Sequence, residues 1–108
     1  MAEPFEELAS LDRLIHEPAR LAIMTALSAS EGADFLFLQR VTGLTKGNLS
    51  SHLTKLEKAG LVKIKKRFVG KTPNTFVSLT KKGRVAIEEH WEQLERLRSG
   101  AKGWKPRA

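Results

Sequence analysis

The hydrophobic period of this sequence changes at Gly60, and the change limits the folds that the chain can adopt. Before Gly60, the leucines at Leu49, Leu53 and Leu56 recur every three or four residues, which is the spacing of one buried helix face. Within Leu61–Val69 the even positions include the apolar Val62, Ile64 and Phe68, and the odd positions include Lys63, Lys65 and Arg67, as in a half-exposed strand. A helix that runs almost directly into a strand predicts a mainly α domain with a small β element.

Capping residues divide the helical region into two helices. Thr45 is an N-cap candidate for a helix over residues 45–59, which Gly60 ends. A preceding helix runs through about Thr42 and ends at Gly43 for the same reason. Because a short turn that contains glycine joins them, the two helices are predicted to form a helix-turn-helix.

Two further helices are predicted before this pair. An apolar stripe over Phe5–Ile15 indicates the first, and Pro18, at a favoured first position, opens a second that runs to about Ala29. A short extended piece at Asp34–Phe37 then leads into the helix-turn-helix.

The sequence after the first strand predicts a β-hairpin and a last helix. Residues 70–74 are rich in turn formers, and residues 75–79 alternate as a return strand. Thr80 can cap a helix that runs to about Arg98. The predicted fold class is therefore mainly α with a small β-hairpin wing: a winged helix-turn-helix of about five helices.

The net charge of +7 is concentrated in the middle of the chain. Residues 1–39 contain seven acids and two arginines, whereas residues 40–84 contain twelve lysines and arginines and one acid, Glu57. Residues 85–108 are nearly balanced, with five bases and four acids. A positive field confined to one segment attracts polyanions, so nucleic acid is favoured over an acidic protein or a membrane surface.

The polar side of the helix over 45–59 has the composition of a DNA-reading surface. Opposite the leucines lie Asn, Ser, Thr and Lys and no acid, and these side chains donate to base edges and phosphates. Asn48 suits a bidentate contact to adenine, and Gly47 permits a close backbone approach to phosphate. The predicted contact residues are Thr45, Lys46, Gly47, Asn48, Ser50, Ser51, His52 and Lys55. Taken singly, Lys55 also fits an ordinary surface lysine, Asn48 a local cap and His52 a partly packed ring.

Basic residues also converge on the hairpin, where Lys63, Lys65 and Arg67 share one strand face. A basic hairpin beside a recognition helix can reach the neighbouring minor groove or backbone. Lysines that protect an edge strand from aggregation are the alternative explanation. The predicted wing contacts are Lys65, Arg67, Lys71, Thr72 and Thr75.

The terminal helices are more apolar than one side of a small core requires. We expect them to form a two-fold interface, because a symmetric operator needs two recognition helices about one DNA turn apart. The alternative is that both helices merely close the core of the single chain. Residues 1–98 are then one winged helix domain for DNA binding and dimerisation, and residues 99–108 a flexible basic tail. The predicted interface residues are Leu8, Leu11, Ile87, Trp91, Leu94 and Leu97.

Several functions find no supporting residues in the sequence. There is no cysteine, and His16, His52 and His90 lie far apart in sequence, so no metal site is predicted. No nucleophile motif, P-loop or GxGxxG pattern is present, so we expect neither enzymatic activity nor a cofactor. The chain shows no signal-like N-terminus and no apolar run of membrane length, which predicts a soluble cytoplasmic protein without a membrane partner. No small-molecule effector is identifiable.

Four segments together resemble bacterial and archaeal winged helix-turn-helix regulators of the ArsR and MarR kind. They are His16–Met24, Gly47–Leu53, Leu56–Val62 and Leu79–Arg84. The Gly-Asn-Leu-Ser-Ser-His run that begins at Gly47 is similar to a single-domain group among them. The resemblance spans about Leu11 to Leu97 and implies dimerising terminal helices, major-groove reading by Asn48 and Ser51, and backbone contacts from the wing. Metal-sensing ArsR members use cysteines, which this chain lacks.

The sequence thus predicts a homodimeric regulator that binds a specific double-stranded DNA sequence. Repression is favoured because no separate surface for recruiting polymerase is visible. The alternatives are a winged helix that binds a protein partner and one that binds RNA. Indifference to duplex DNA would favour the first, and a preference for structured RNA the second.

Overall fold

The computed structural model describes residues 3–106, which form five helices and a three-stranded antiparallel sheet. The helices are α1 (Pro4–Ala9), α2 (Pro18–Ser28), α3 (Phe35–Thr42), α4 (Lys46–Lys58) and α5 (Lys81–Gly103). The strands are β1 (Ala33–Asp34), β2 (Val62–Val69) and β3 (Thr72–Leu79), in the sheet order β1-β3-β2. The predicted fold class, mainly α with a small β-hairpin wing, is confirmed.

Helices α3 and α4 form the predicted helix-turn-helix. Gly43 follows α3 with φ = 71°, a left-handed conformation that a side chain disfavours. Thr45 then caps α4, because its Oγ1 accepts a hydrogen bond from the Asn48 amide N–H at 3.1 Å. Asp34 caps α3 similarly, accepting from the Phe37 N–H at 2.7 Å. Both helices therefore begin at side-chain caps.

The hydrophobic core is centred on α2, where Ile23, Met24 and Leu27 are fully buried. Each of the other principal elements contributes to the same cluster: Leu38, Leu49, Leu53, Leu56, Val62, Val77 and Ile87. Burying a side chain of this size contributes about 1.5–3 kcal/mol. The cluster therefore holds α4 against the body by its leucine face and leaves the opposite face outward.

The register of the hairpin assigns each wing residue to one of two faces, because directly opposed residues of an antiparallel pair share a face. The inner face, which begins in the core beside α4, consists of the pairs Val62–Leu79, Ile64–Val77, Lys66–Thr75 and Phe68–Pro73. The outer face consists of the pairs Lys63–Ser78, Lys65–Phe76, Arg67–Asn74 and Val69–Thr72. A basic surface is thus divided between two sides of the wing.

A close junction fixes the base of the wing to α5. The Thr80 hydroxyl donates to the Gly60 carbonyl oxygen at 2.6 Å and accepts from the Gly83 N–H at 2.9 Å. A Cβ at Gly83 would overlap the Leu61 carbonyl group, so this position requires glycine. The hairpin therefore leaves the body from a fixed point.

The first helix is shorter than predicted, since α1 ends at Ala9 instead of near Ile15. Ser10 is the C-cap, and its hydroxyl donates to carbonyl oxygens of the last turn at 3.0 and 3.2 Å, which satisfies groups left free at the helix end. The Asp12 carboxylate then accepts from the Leu14 N–H at 2.9 Å and forms a turn. The apolar residues of the second half of the predicted stripe, Leu11 and Ile15, are buried as expected, but they lie in a turn and not in a helix.

The last helix is longer than predicted, since α5 runs to Gly103 and residues 99–103 are helical instead of a loose tail. Trp104 folds back onto the start of the chain. Its ring meets Phe5 edge to face, with 5.1 Å between centroids, and its Nε1 donates to the Glu3 carboxylate at 2.8 Å. These contacts across the chain ends have no local sequence signal.

Helix α1 lies along the C-terminal half of α5, and we call this pair (residues 4–9 and 93–104) the terminal arm. Arg96 lies 3.4 Å from the Glu7 carboxylate across the pair, and Pro4 lies beside Gly100. The described chain measures 69 × 26 × 22 Å along its principal axes. The arm is thus a two-helix element set apart from the helix-turn-helix.

Candidate nucleic-acid interface

Helix α4 presents a polar face to solvent, as its sequence predicts. Leu49, Leu53 and Leu56 are 0–2% exposed and fix which side faces the core. The exposed residues of the helix are Lys46, Gly47, Asn48, Ser50, Ser51, Thr54, Lys55, Glu57 and Lys58. Glu57 is the one acid of α4, and it lies beside the wing, on the edge of the cleft described below. The face centred on Ser51 and Lys55 has no acid.

The first turn of α4 is open to an approaching ligand. The Thr45 hydroxyl oxygen is already engaged, because it accepts the capping hydrogen bond from the Asn48 backbone N–H. The Asn48 side chain is exposed and makes no hydrogen bond to residues 3–106. A Cβ at Gly47 would meet nothing within 4 Å, so the space beside the helix N-terminus is clear. Exposed amides at this end are suited to binding an anion.

His52 links the recognition helix to the segment before α2. Its Nδ1 lies 3.0 Å from an Arg20 guanidinium nitrogen and 3.7 Å from the Glu17 carboxylate. The same arginine donates its Nε–H to the Leu14 carbonyl oxygen at 2.6 Å. His52 is half-buried and serves as a bracket between α4 and the body.

The Glu17 carboxylate anchors this bracket at the N-terminus of α2. Burial raises its pKa, but hydrogen bonds from the Arg20 and Ala19 N–H groups and the charges of His52 and Arg20 outweigh that effect. The pKa of Glu17 is therefore below its usual value of 4.5, and the carboxylate stays ionised.

The structure separates the predicted wing residues. Lys65 and Arg67 lie on the outer face, Thr72 and Lys71 lie at the tip, and Thr75 lies on the inner face, half-buried. All except Thr75 are exposed. The sequence correctly grouped Lys65 with Arg67, but that face is turned away from α4.

Arg67 is held in place within the wing. Its Nε donates to the Asn74 side-chain oxygen at 3.0 Å, and its guanidinium carbon lies 4.1 Å above the centre of the Phe76 ring. A cation over an aromatic face is attracted by the ring quadrupole. The guanidinium is thus pre-oriented on the outer face.

A cleft of about 670 Å³ separates α4 from the inner face of the wing. Lys66 is the cation that the wing contributes to this cleft. It was absent from the predicted contact set. Its separation from Val62 and Ile64 by even numbers of residues, which places all three on one strand face, is the sequence signal that could have identified it. The lining residues include Lys46, Ser50, Thr54, Glu57, Lys66 and Thr75. The recognition helix and the wing therefore border one cleft, whose lining also includes the apolar residues Phe35, Leu36, Leu53, Ile64 and Pro73.

The residues predicted for the dimer interface differ in their placement. Ile87 is fully buried in the core of the single chain, so it is not available to a partner, because its face of α5 packs on α2 and the sheet. Leu11 and Leu97 are also buried, at 8% and 3% exposure. Leu94 is half-buried, whereas Leu8 and Trp91 are exposed. On the terminal arm itself, Phe5 and Trp104 are exposed apolar residues together with Leu8. Trp91 lies just before the arm, and its Nε1 donates to the Thr25 hydroxyl of α2 at 2.9 Å.

Two of the three histidines meet, although they are 74 residues apart in sequence. His16 Nδ1 and His90 Nε2 lie 3.0 Å apart, which joins the segment before α2 to α5. Burial lowers the pKa of His90 below its usual 6.5 and the charge of His16 lowers it further, against an opposing effect of Asp12. Within residues 3–106, no group of three or more His, Asp or Glu side chains has the geometry of a metal site. No helix there has the length and apolar content needed to cross a membrane.

A helix-turn-helix with an exposed recognition face beside a basic wing defines the class of winged helix DNA-binding proteins. The sequence pattern of the family described as "Winged helix DNA-binding domain" matches residues 19–98, and the chain belongs to this family. It is therefore a winged helix transcriptional regulator that binds DNA.

The chain is also similar to two solved structures and to one further protein, as follows. The transcriptional regulator homologue protein from Pyrococcus horikoshii OT3 is 33% identical, with a TM-score of 0.83 over 93% of this chain and 98% of that chain. An uncharacterized protein of Methanocaldococcus jannaschii is 33% identical over 85 residues, or 79% of this chain and 92% of that protein. A MarR family regulator from Silicibacter pomeroyi shares the fold at 23% identity and a TM-score of 0.66, over 96% of this chain and 68% of that chain. The MarR-like fold is confirmed, and the Gly-Asn-Leu-Ser-Ser-His signature stays a prediction.

Proposed function

We propose that this regulator binds a specific double-stranded DNA sequence as a homodimer and acts as a repressor. In this proposal α4 lies in the major groove, and the wing follows the adjacent backbone or minor groove. The observation that supports it most directly is the face of α4 on which Asn48, Ser51 and Lys55 are exposed without an acid among them. Exposed donors on such a helix fit the pattern of acceptors in the major groove.

The roles within α4 divide by distance from the helix N-terminus. Asn48 and Ser51 read base edges, because residues near the start of a recognition helix lie deepest in the groove. Phosphates are contacted by the remaining members of the set: Lys46, the Gly47 backbone, Ser50, His52 and Lys55. Thr45 acts through its cap, which holds the first turn in shape.

The wing supplies contacts that do not depend on sequence. Lys65, Lys71, Thr72 and Thr75 contact phosphate and sugar on either side of the hairpin. Arg67 acts from the outer face, where its contacts with Asn74 and Phe76 reduce the side-chain entropy lost on binding.

Dimerisation through the terminal arms would place two recognition helices on one face of the duplex. Exposed Leu8 and half-buried Leu94 of the arm offer apolar surface, which exposed Trp91 extends just before the arm on α5. Buried Leu97, and Leu11 just after α1, support this surface from beneath. A dimer seated across a promoter blocks polymerase without any further surface. A regulator of this kind must share a compartment with chromosomal DNA, so we expect it in the cytoplasm of a bacterial or archaeal cell.

Selection of bound duplexes from a random DNA pool tests the proposal. We expect two related half-sites about 10 bp apart, bound by two chains, with affinity that falls steeply as salt is raised. Salt-insensitive binding, or a failure to enrich any duplex, would contradict it. Enrichment of structured RNA in a parallel pool would favour an RNA-binding winged helix, and capture by an acidic protein alone a protein-binding one.

A further inference from the structure

The tip of the wing exposes an aromatic side chain that the single chain does not use for packing. Phe68 is 72% exposed, more than any other large apolar residue in the described part of the chain. It lies four residues beyond Ile64, which is the last residue of β2 with partial burial. Covering this ring with another molecule would remove apolar surface from water, which would favour binding at the tip.

The register of the hairpin places this ring on the side of the recognition helix. Phe68 opposes Pro73 on the inner face, in line with the Lys66–Thr75 pair. That pair borders the cleft against Ser50 of α4. Phe68 and Pro73 thus form an apolar tip that continues the surface met by a duplex lying along α4.

Charge decides what kind of molecule can cover this tip. Residues 62–79 contain five cations and no acid: Lys63, Lys65, Lys66, Arg67 and Lys71. A second copy of this hairpin would be repelled by the same charges. Duplex DNA offers what the tip requires, because anionic phosphates flank the apolar surfaces of stacked bases.

The length of the wing matches the geometry of the duplex. Four residues of strand from Ile64 to Phe68 span about 13 Å. The major groove is about 12 Å wide. A hairpin that leaves the body beside a helix seated in that groove therefore reaches past one phosphate backbone to the neighbouring minor groove.

We propose that Phe68, backed by Pro73, inserts as an apolar wedge at a base step of the minor groove beside the site of α4. The wedge partly unstacks that step and bends the duplex, and flexible steps are favoured because they deform at lower cost. This inference rests on the proposed binding of α4 in the major groove.

The test uses a fluorescently labelled duplex selected by the full-length protein and given A·T pairs on both flanks. Permanganate reactivity reports unstacked thymines, and energy transfer between dyes at the two ends reports bending. For wild type, we expect reactive thymines in the flank and a shortened end-to-end distance. Phe68→Ala should lose both signals and bind roughly tenfold more weakly, since base–aromatic stacking is removed.

Two further variants separate the wedge from a general effect at the tip. Val69→Ala alters an exposed apolar neighbour that lies on the outer face, and it should behave as wild type. Phe68→Leu keeps an apolar wedge and should retain part of both signals. A thermal melt of Phe68→Ala that matches wild type confirms an intact fold, as the 72% exposure of the ring leads us to expect.

The outcomes distinguish this inference from the proposed function. If wild type binds no duplex, the proposed function fails and the wedge fails with it. If wild type binds and Phe68→Ala keeps the reactive thymines and the bend, the wedge is wrong while DNA binding stands. A loss of affinity in Phe68→Ala without any change in bending or reactivity would also overturn the wedge.

Discussion

Two side chains on the same face of α4 are expected to do different work. Asn48 lies in the first turn, exposed and without an internal hydrogen bond to residues 3–106, so it is free to bind a base edge. Asn48→Ala should weaken binding to the preferred duplex by about 1–3 kcal/mol and hardly change binding to random DNA. Fluorescence anisotropy with both duplexes measures the difference. An equal loss on both would assign Asn48 to the backbone.

Lys55 is expected to contribute charge and no sequence preference. Lys55→Ala should weaken binding to preferred and random duplexes alike, and it should reduce the slope of log affinity against log salt by about 1. Lys102→Ala is the matched control, because Lys102 is an exposed lysine near the end of α5, remote from α4. An unchanged salt slope in Lys55→Ala would mean that this lysine is only solvated.

At the scale of elements, α4 depends on its cap. Thr45 satisfies the Asn48 N–H through its hydroxyl, so Thr45→Ala should lower the free energy of unfolding by about 1 kcal/mol. It should also weaken DNA binding by loosening the first turn. Thr45→Ser keeps the acceptor oxygen and should restore most of both, as urea denaturation and anisotropy will show. If the serine variant is as impaired as alanine, the capping argument is wrong.

The wing shows why an element can be predicted without its orientation. Alternation over β2 identified the strand and grouped Lys65 with Arg67, because side chains of a strand alternate by sterics alone. Which of the two faces turns towards α4 depends on the Thr80–Gly83 junction that fixes the base of the hairpin. The sequence therefore selected Arg67 and passed over Lys66 and Phe68, which share the inner face.

At the scale of the whole molecule, His90 couples stability to pH. Its pKa is lowered by burial and by His16, so the unfolded chain binds more protons than the folded chain near the usual value of 6.5. Wild type should therefore be most stable above that pH and lose stability as the pH falls towards the folded pKa. His90→Gln should lose stability at neutral pH but show a flatter pH dependence in urea denaturation. An unchanged slope would exclude His90 as the group responsible.

The terminal arm is expected to determine the oligomeric state. Leu8 is 39% exposed on α1, beside other exposed apolar side chains of the arm. Leu8→Glu should weaken the dimer roughly tenfold or more by placing a charge in an apolar interface, as sedimentation equilibrium will report. Leu36→Glu alters an exposed leucine on α3 and serves as the control. An unchanged dimer in Leu8→Glu would place the interface elsewhere.

The sequence by itself determined the elements whose signals are local. Caps at Thr45 and Thr80, the turn at Gly43 and the leucine face of α4 follow from hydrogen bonds and periodicity within a few residues. The winged helix-turn-helix, its polar recognition face and its basic wing could all be predicted for that reason.

Only the tertiary structure decided which residues distant in sequence contact one another. The approach of His16 to His90, the bracket from Arg20 to His52 and the packing of Trp104 on Phe5 join positions from 32 to 99 residues apart. The same packing buried Ile87 in the single chain and extended α5 beyond its predicted end. A sequence pattern shows that a side chain must be buried, but the partner that buries it is chosen by the arrangement of the whole chain.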